Sequence, residues 1–239
     1  MSSNTDPLGT AIIDYLNQTN DPIITVESNL TEPDEIPVRY LFRNKSEMPE
    51  KELFALSKAE GRILDVGAGA GAHARILQDE NKLVVALDNS AKCCEAMKKQ
   101  GIKHVVCEDF FTYSDNEKFD TIFLFMNGFG IAGTIDNLEP FLIKCKSLLK
   151  PNGKIIGESA DIIYLFEEED GSVNININGK YHGEILYQMS YRNELSGWFP
   201  WLYVSVDILT DIAEKAGLKQ VDLYEGMDSD YVICLQNQG

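Results

Sequence analysis

The stretch Arg62 to Leu77, RILDVGAGAGAHARIL, limits what this chain can fold into more than any other. Ile63-Leu64-Asp65-Val66 is a short apolar run of the kind buried in a parallel sheet. Gly67, Gly69 and Gly71 follow at alternate positions, and Ala72, Ala74, Ile76 and Leu77 then have helix-forming composition. Strand, glycine-rich turn and helix together let backbone approach a ligand closely and aim helix N–H groups at it. The turn alone does not choose the ligand. Gly67-Ala68-Gly69-Ala70-Gly71-Ala72 also fits the G-x-G-x-x-G/A pattern of dinucleotide-binding oxidoreductases.

The acids around the turn discriminate. Asp65 stands two residues before the first glycine. A carboxylate there would repel a pyrophosphate. It suits a ligand carrying an ammonium and a sulfonium, as S-adenosylmethionine (SAM) does. Asp88 ends the next apolar run, Leu83 to Leu87, with Asn89 after it, at about the spacing of an acid that holds a ribose diol. Glu108-Asp109 closes a third run, His104 to Cys107, and offers an acceptor for an adenine amino group. Taken singly, Asp88 and Asp109 could be solvated acids. Acids at successive strand ends are more specific than the glycines.

On these residues the chain resembles the class I SAM-dependent methyltransferases. The matching segments are DVGAGAG (Asp65 to Gly71), ALDNS (Ala86 to Ser90), CEDF (Cys107 to Phe110), FDTIFLFMNGFG (Phe119 to Gly130) and LLKPNGKII (Leu148 to Ile156). The resemblance implies an α/β fold: a Rossmann-like, doubly wound, seven-stranded and mostly parallel sheet with helices on both faces, closed by an antiparallel pair. It implies one domain over residues 1–239, in which residues 1–60 form an N-terminal helical lid. It also implies the cofactor roles. Gly67, Ala68, Gly69 and Gly71 would pack on the methionyl part with Asp65 near its ammonium. Asp88 and Asn89 would meet the ribose, Glu108 and Asp109 the adenine amino group. Phe110 would pack on the ring, and Met126 would follow the fourth strand beside the site.

Bulk properties narrow the partners. The 239 residues suffice for one α/β domain with a sizeable core. A formal net charge of −17 and the lack of a basic stripe argue against a nucleic-acid acceptor. No apolar run is long enough for a bilayer, and MSSNTDPLGT lacks a signal pattern, so a cytoplasmic location is expected. The five cysteines have no metal-like spacing and read as reduced thiols; no metal is expected.

Along the chain, Asp6-Pro7 starts a helix with a Leu8, Ile12, Ile13, Leu16 stripe, and Pro49 opens a second with Leu53, Phe54 and Leu56. Ser90 caps a helix that Gly101 stops. Phe119 to Phe125 is the fourth strand, Thr134 to Lys150 a helix, and Pro151-Asn152-Gly153 a turn into the fifth strand, Lys154 to Gly157. Residues 159–204 break the rhythm and read as an antiparallel insertion on the acceptor side. Val173 to Ile177 alternates, Asn178-Gly179 signals a hairpin, and Lys180 to Arg192 is a Tyr-rich strand. Val206 to Ala216 is the last helix, before strands Lys219 to Tyr224 and Asp230 to Leu235.

Methyl transfer from a sulfonium is an in-line displacement that needs alignment more than activation. It leaves little catalytic signature. Asn127, after the fourth strand, and His182, in the insertion, are the candidates for acceptor binding or proton removal. Met126-Asn127-Gly128-Phe129 is not the Asn/Asp-Pro-Pro-aromatic of enzymes that methylate nucleobase amino groups. Tyr40, Arg43, Trp198 and Trp201 are candidates to wall or close an acceptor pocket; the blander reading is packing. A small-molecule acceptor is the preferred reading. A protein acceptor, or SAM binding without turnover, is the alternative. The sequence leaves the acceptor, the base and the oligomeric state open.

Overall fold

The computed structural model describes residues 5–17, 21–168, 170–175, 179–227 and 229–239. The chain opens with α1 (Pro7–Leu16), β1 (Ile23–Ser28), β2 (Asp34–Pro37), a 3-10 helix over Val38–Phe42, and α2 (Glu50–Lys58). Alternating elements follow: β3 (Arg62–Val66), α3 (Ala72–Asp79), β4 (Leu83–Asp88), α4 (Ala91–Lys99), β5 (Val105–Cys107), β6 (Phe119–Leu124), α5 (Ile135–Leu148) and β7 (Leu149–Ala160). The remainder is β8 (Glu184–Tyr191), β9 (Glu194–Leu195), β10 (Phe199–Leu202), α6 (Val206–Lys215), β11 (Leu218–Glu225) and β12 (Asp230–Asn237).

Seven strands follow the order β11-β12-β7-β6-β3-β4-β5. β3 pairs with β4 and β4 with β5 in parallel, as does β6 with β7, while β12 is antiparallel to β7 and to β11. This is the expected α/β fold with a mostly parallel sheet. Its central strands carry apolar runs buried in the sheet: Ile63, Leu64, Val66, Ile122, Phe123, Leu124, Ile155 and Ile156 are all buried.

The chain divides into two compact units. The first comprises residues 1–49, 60–114 and 186–199, the second 50–59, 115–185 and 200–239. In the first unit, Ala11, Ile12, Ile24, Val38, Ala70, Cys93, Ala96 and Tyr191 form one apolar cluster. In the second, Phe119, Phe123, Phe129 and Phe141 are fully buried.

Local signals hold. Asp6 caps α1, its side chain accepting from the Gly9 N–H at 2.8 Å. Ser90 caps α4 by accepting from the Cys93 N–H at 3.0 Å, and Gly101 takes φ +83° just beyond the helix. One expectation needs correction. The segment before β3 is not purely helical, because β1 and β2 pair antiparallel within it. Pro151-Asn152-Gly153 lies within the span of β7 but acts as the expected turn: pairing with β6 jumps from Phe119–Leu149 to Thr121–Lys154, Asn152 takes φ +64°, and Lys154 to Gly157 then pair in step. Residues 176–178, and with them Asn178 of the turn signal, lie outside the described residues. Val173 makes only an isolated bridge to Glu167. β8 pairs instead with β1 and β9, both antiparallel. The insertion thus joins the N-terminal strands, a pairing that no short-range pattern announces.

Candidate active site

The first unit gathers most of the acids at the carboxyl ends of its strands. Gly67, Gly69 and Gly71 take φ of +69°, +56° and +84°, left-handed values that explain the alternate glycines. The N–H groups of Gly67 and Ala68 donate to the Leu87 carbonyl at 2.9 and 3.1 Å. That of Gly69 donates to Asp88 Oδ2 at 2.8 Å, and that of Gly71 to the Ala68 carbonyl at 2.7 Å. Four of the turn's donors are thus spent inside the chain. The turn is therefore not an anion cradle, which disfavours a pyrophosphate. Space beside Gly69 is open, with no atom within 4 Å of where a Cβ would stand.

Asp65 is buried, and its Oδ2 has no hydrogen-bond partner. Burial pushes its carboxyl pKa up to about 6, against the opposing pull of His73 and an N–H from Ala74; nearby Asp88 pushes the same way as burial. An unpaired, buried carboxylate oxygen calls for a hydrogen-bond donor, best a cationic one. Asp88 accepts from Gly69 and, at 2.8 Å, from the Ser90 N–H. Burial raises its pKa, those bonds oppose the rise, and Asp6 adds to it. A carboxylate offers about four acceptor positions. Asp88 therefore keeps capacity for a hydroxyl.

Glu108 and Asp109 are exposed. The Glu108 N–H donates to the Asp88 carbonyl at 3.0 Å, and Asp109 Oδ1 accepts from the Phe111 N–H at 2.8 Å. Phe110 is buried, edge-on to Phe111. Asn89 is exposed beside Asp88. Arg43 is buried with its guanidinium 3.5 Å from the centre of the Tyr40 ring, and its Nε donates to the Tyr40 carbonyl. Trp198 is half exposed.

The second unit holds Met126, Asn127, His182 and Trp201. Met126 and Asn127 are consecutive left-handed residues at φ +53° and +55°. Each such conformation costs about 1–3 kcal/mol in a non-glycine residue. Glu158 and Leu202 hold them: Glu158 Oε2 accepts from the Met126 N–H at 3.1 Å, and the Asn127 amide donates to the Leu202 carbonyl at 3.1 Å. Asn127 Oδ1 is buried without a partner. His182 Nε2 is also buried without a hydrogen bond, 3.6 Å from Asp161 Oδ1, with its ring against Phe166 and Tyr181.

Sequence reasoning missed Lys51, Glu158 and Asp230. Lys51 Nζ reaches Glu158 Oε1 at 2.6 Å and pairs with Asp230. The three lie far apart in sequence and no motif links them. It also missed how Trp201 is used. A Cβ on Gly130 would stand 2.1 Å from the Trp201 Nε1, so the indole rests on the loop after β6. Gly130→Ala is expected to cost about 1–3 kcal/mol by overpacking. Urea unfolding checks this, and an unchanged midpoint would mean that the indole swings aside.

Comparison with known proteins shows the family. Residues 63–153, from β3 into β7, match the family model described as "Methyltransferase domain". No curated protein sequence matches the chain. Among solved structures, a SAM-dependent methyltransferase from Bacteroides fragilis in complex with S-adenosyl-L-homocysteine (SAH) is similar at 40% identity and TM-score 0.90, covering 98% of this chain and 96% of that one. The CcbJ methyltransferase from Streptomyces caelestis shares the fold at 16% identity and TM-score 0.59, covering 81% of this chain and 94% of that one. So does CalS10, an amino pentose methyltransferase from Micromonospora echinaspora, at 14% identity and TM-score 0.52, covering 78% and 87%. With 40% identity over nearly its whole length, and a glycine turn ringed by acids rather than set for phosphate, this chain belongs to the class I SAM-dependent methyltransferases.

Proposed function

We propose that the chain transfers the methyl group of SAM, in line, to a small cytoplasmic molecule that carries an N–H or O–H near the reacting atom. The observation that carries this reading is Asn127 Oδ1, buried and unpaired on a strained loop. A buried acceptor without a donor is costly, by about 1–3 kcal/mol, and a bound ligand that supplies the donor recovers it. The strain at Met126 and Asn127 is of the kind that collects at ligand clamps.

Bound SAM supplies a methyl group already activated on a sulfonium. Asp65 holds the ammonium, Asp88 with Asn89 the ribose hydroxyls, and Glu108, Asp109 and Phe110 the adenine. Asn127 accepts from the acceptor and fixes its orientation. Orientation alone supplies much of the rate, since effective molarities of about 10⁵–10⁸ M are reached by well-aligned groups. Where the acceptor must lose a proton, His182, whose Nε2 lies 3.6 Å from Asp161 Oδ1, is the group that takes it. Residues 1–60, with Tyr40 and Arg43, and the insertion 159–204, with Trp198 and Trp201, select the acceptor. The net charge of −17 disfavours nucleic acid. The free thiols, four of them buried, suit a reducing compartment. Among the described residues no helix is long and apolar enough to cross a membrane.

The test is transfer of labelled methyl from SAM in a metabolite extract. Label is expected in a small-molecule fraction. Label confined to polypeptide would favour a protein acceptor, and none at all a binding module without turnover; either would overturn the proposal. Asn127→Ala is expected to lower kcat/KM for the acceptor about 10- to 100-fold, the scale of one buried hydrogen bond. SAH affinity, measured by calorimetry, should stay unchanged.

A further inference from the structure

The first helix is wired to the glycine turn. Asp6, the cap of α1, uses both carboxylate oxygens: Oδ1 accepts from the Gly9 N–H at 2.8 Å and Oδ2 from the Ser90 hydroxyl at 2.5 Å. The Ser90 N–H donates to Asp88 Oδ1 at 2.8 Å, and Asp88 Oδ2 accepts from the Gly69 N–H at 2.8 Å. Hydrogen bonds therefore run without a break from the first turn of α1 to the middle of the turn that faces the cofactor. Apolar packing follows the same route. Ala11 and Ile12 of α1 share one buried cluster with Ala70 of the turn and Cys93 and Ala96 of α4.

Gly9 is an independent sign that this docking is close. A Cβ there would stand 2.2 Å from Asp6 Oδ2 and 2.7 Å from the Lys92 Cβ. Glycine in a helix costs about 1 kcal/mol against alanine. Here it lets α1 approach α4 closely enough for Asp6 to reach Ser90. Lys92 reinforces the contact through Thr10 and Glu194.

We propose that Asp6 is a positioning residue for the methyl-donor site. Through Ser90 it fixes the Asp88 carboxylate, and through Asp88 the Gly69 backbone, so docking of α1 and cofactor binding are reciprocally coupled. The N-terminal segment then acts on the cofactor by linkage, whatever else it covers. Reciprocity is a thermodynamic requirement: if a docked α1 tightens the cofactor by some factor, the cofactor stabilises the docked helix by the same factor.

Amide hydrogen exchange on the full chain, with and without saturating SAH, tests this. Exchange in residues 11–16 is expected to slow at least about fivefold when SAH is bound, the lower end of ordinary coupling. Equal rates in both states would overturn the proposal. SAH binding is followed separately by calorimetry, so a failure of coupling is distinguishable from a failure to bind. The companion variant is Gly9→Ala, which keeps the residues Asp6, Ser90 and Asp88 and favours helix, but puts a Cβ where the Asp6 carboxylate and the Lys92 Cβ now stand. It is expected to weaken SAH by that same factor, at least about fivefold, and to abolish the SAH-dependent protection. Unchanged SAH affinity in Gly9→Ala would also overturn the proposal.

Discussion

Asp65→Asn should make the free protein more stable and its cofactor complex weaker. The native fold keeps the Asp65 carboxyl out of water and raises its pKa from 3.8 to about 6. The folded chain therefore holds that proton more tightly than the unfolded chain does. Stability falls as pH rises between about 4 and 6, and above that window the ionised group costs about 3 kcal/mol. Asparagine removes the charge but places an amide NH₂ where Oδ2 has no partner, which returns about 1–2 kcal/mol of the gain. A net rise of about 1–2 kcal/mol at pH 7.5, shrinking towards pH 4, is expected in urea unfolding without ligand. The same change deletes the carboxylate proposed to hold the SAM ammonium. One charge-assisted hydrogen bond is worth about 1.5–3 kcal/mol, so SAH affinity should fall about 10- to 150-fold. Wild-type binding near pH 6 should release protons, because a cation beside Asp65 lowers its pKa; calorimetry in buffers of different ionisation enthalpy reads this directly. A variant that binds SAH normally would remove Asp65 from the cofactor site.

Lys51→Met should destabilise the second unit strongly. Burial alone would lower the Lys51 pKa; attraction to Glu158 and hydrogen bonds to Asp230 and Glu158 outweigh it and leave the pKa raised. Methionine fills the same space but strands two mostly buried carboxylates. Removing one member of a buried charge cluster costs about 3–5 kcal/mol, and partial exposure brings the figure here to about 3 kcal/mol. Because the lysine pKa is raised on folding, its contribution is complete below the ordinary lysine pKa and fades only in strong alkali. The difference from wild type should therefore hold level from pH 7 to about pH 10. Adding Glu158→Gln should restore part of the loss, as coupled sites do in a double-mutant cycle. Equal stability of wild type and Lys51→Met would show a solvated, idle pair. Glu158 also holds the Met126 N–H, so the single variant should loosen the strained loop beside Asn127.

What the sequence disclosed, and what it withheld, divides by range. The glycine turn was legible because strand, positive-φ turn and helix are adjacent, and each leaves a local mark: apolar run, glycines at 67, 69 and 71, alanines after them. Asp65 and Asp88 were legible because a carboxylate at a strand end is conspicuous against an apolar run. The partners of the turn's N–H groups were not, since they depend on Leu87 and Asp88 folding back over it. Pro151-Asn152-Gly153 was legible as a turn because its chemistry is local, and β7 resumes its pairing with β6 at Lys154. The pairing of β8 with β1 was not, since it joins segments about 160 residues apart. Lys51, Glu158 and Asp230 left no signal because charge complementarity across such distances has no period.

The pairing of β1 with β8 has a consequence for synthesis. Ser28 meets Tyr187, and Thr25 meets Ser190, so a strand made among the first thirty residues waits for one made near residue 190. At about 5–20 residues per second, the ribosome leaves that edge without its neighbour for roughly 10–30 s. During this interval Ile24 and Val26 are exposed to whatever else is nascent or crowded nearby, and a chaperone or a rapid local β1–β2 pairing must shield them. Yield in the cell should therefore respond to translation speed and holdase supply well before it responds to the stability of the finished molecule.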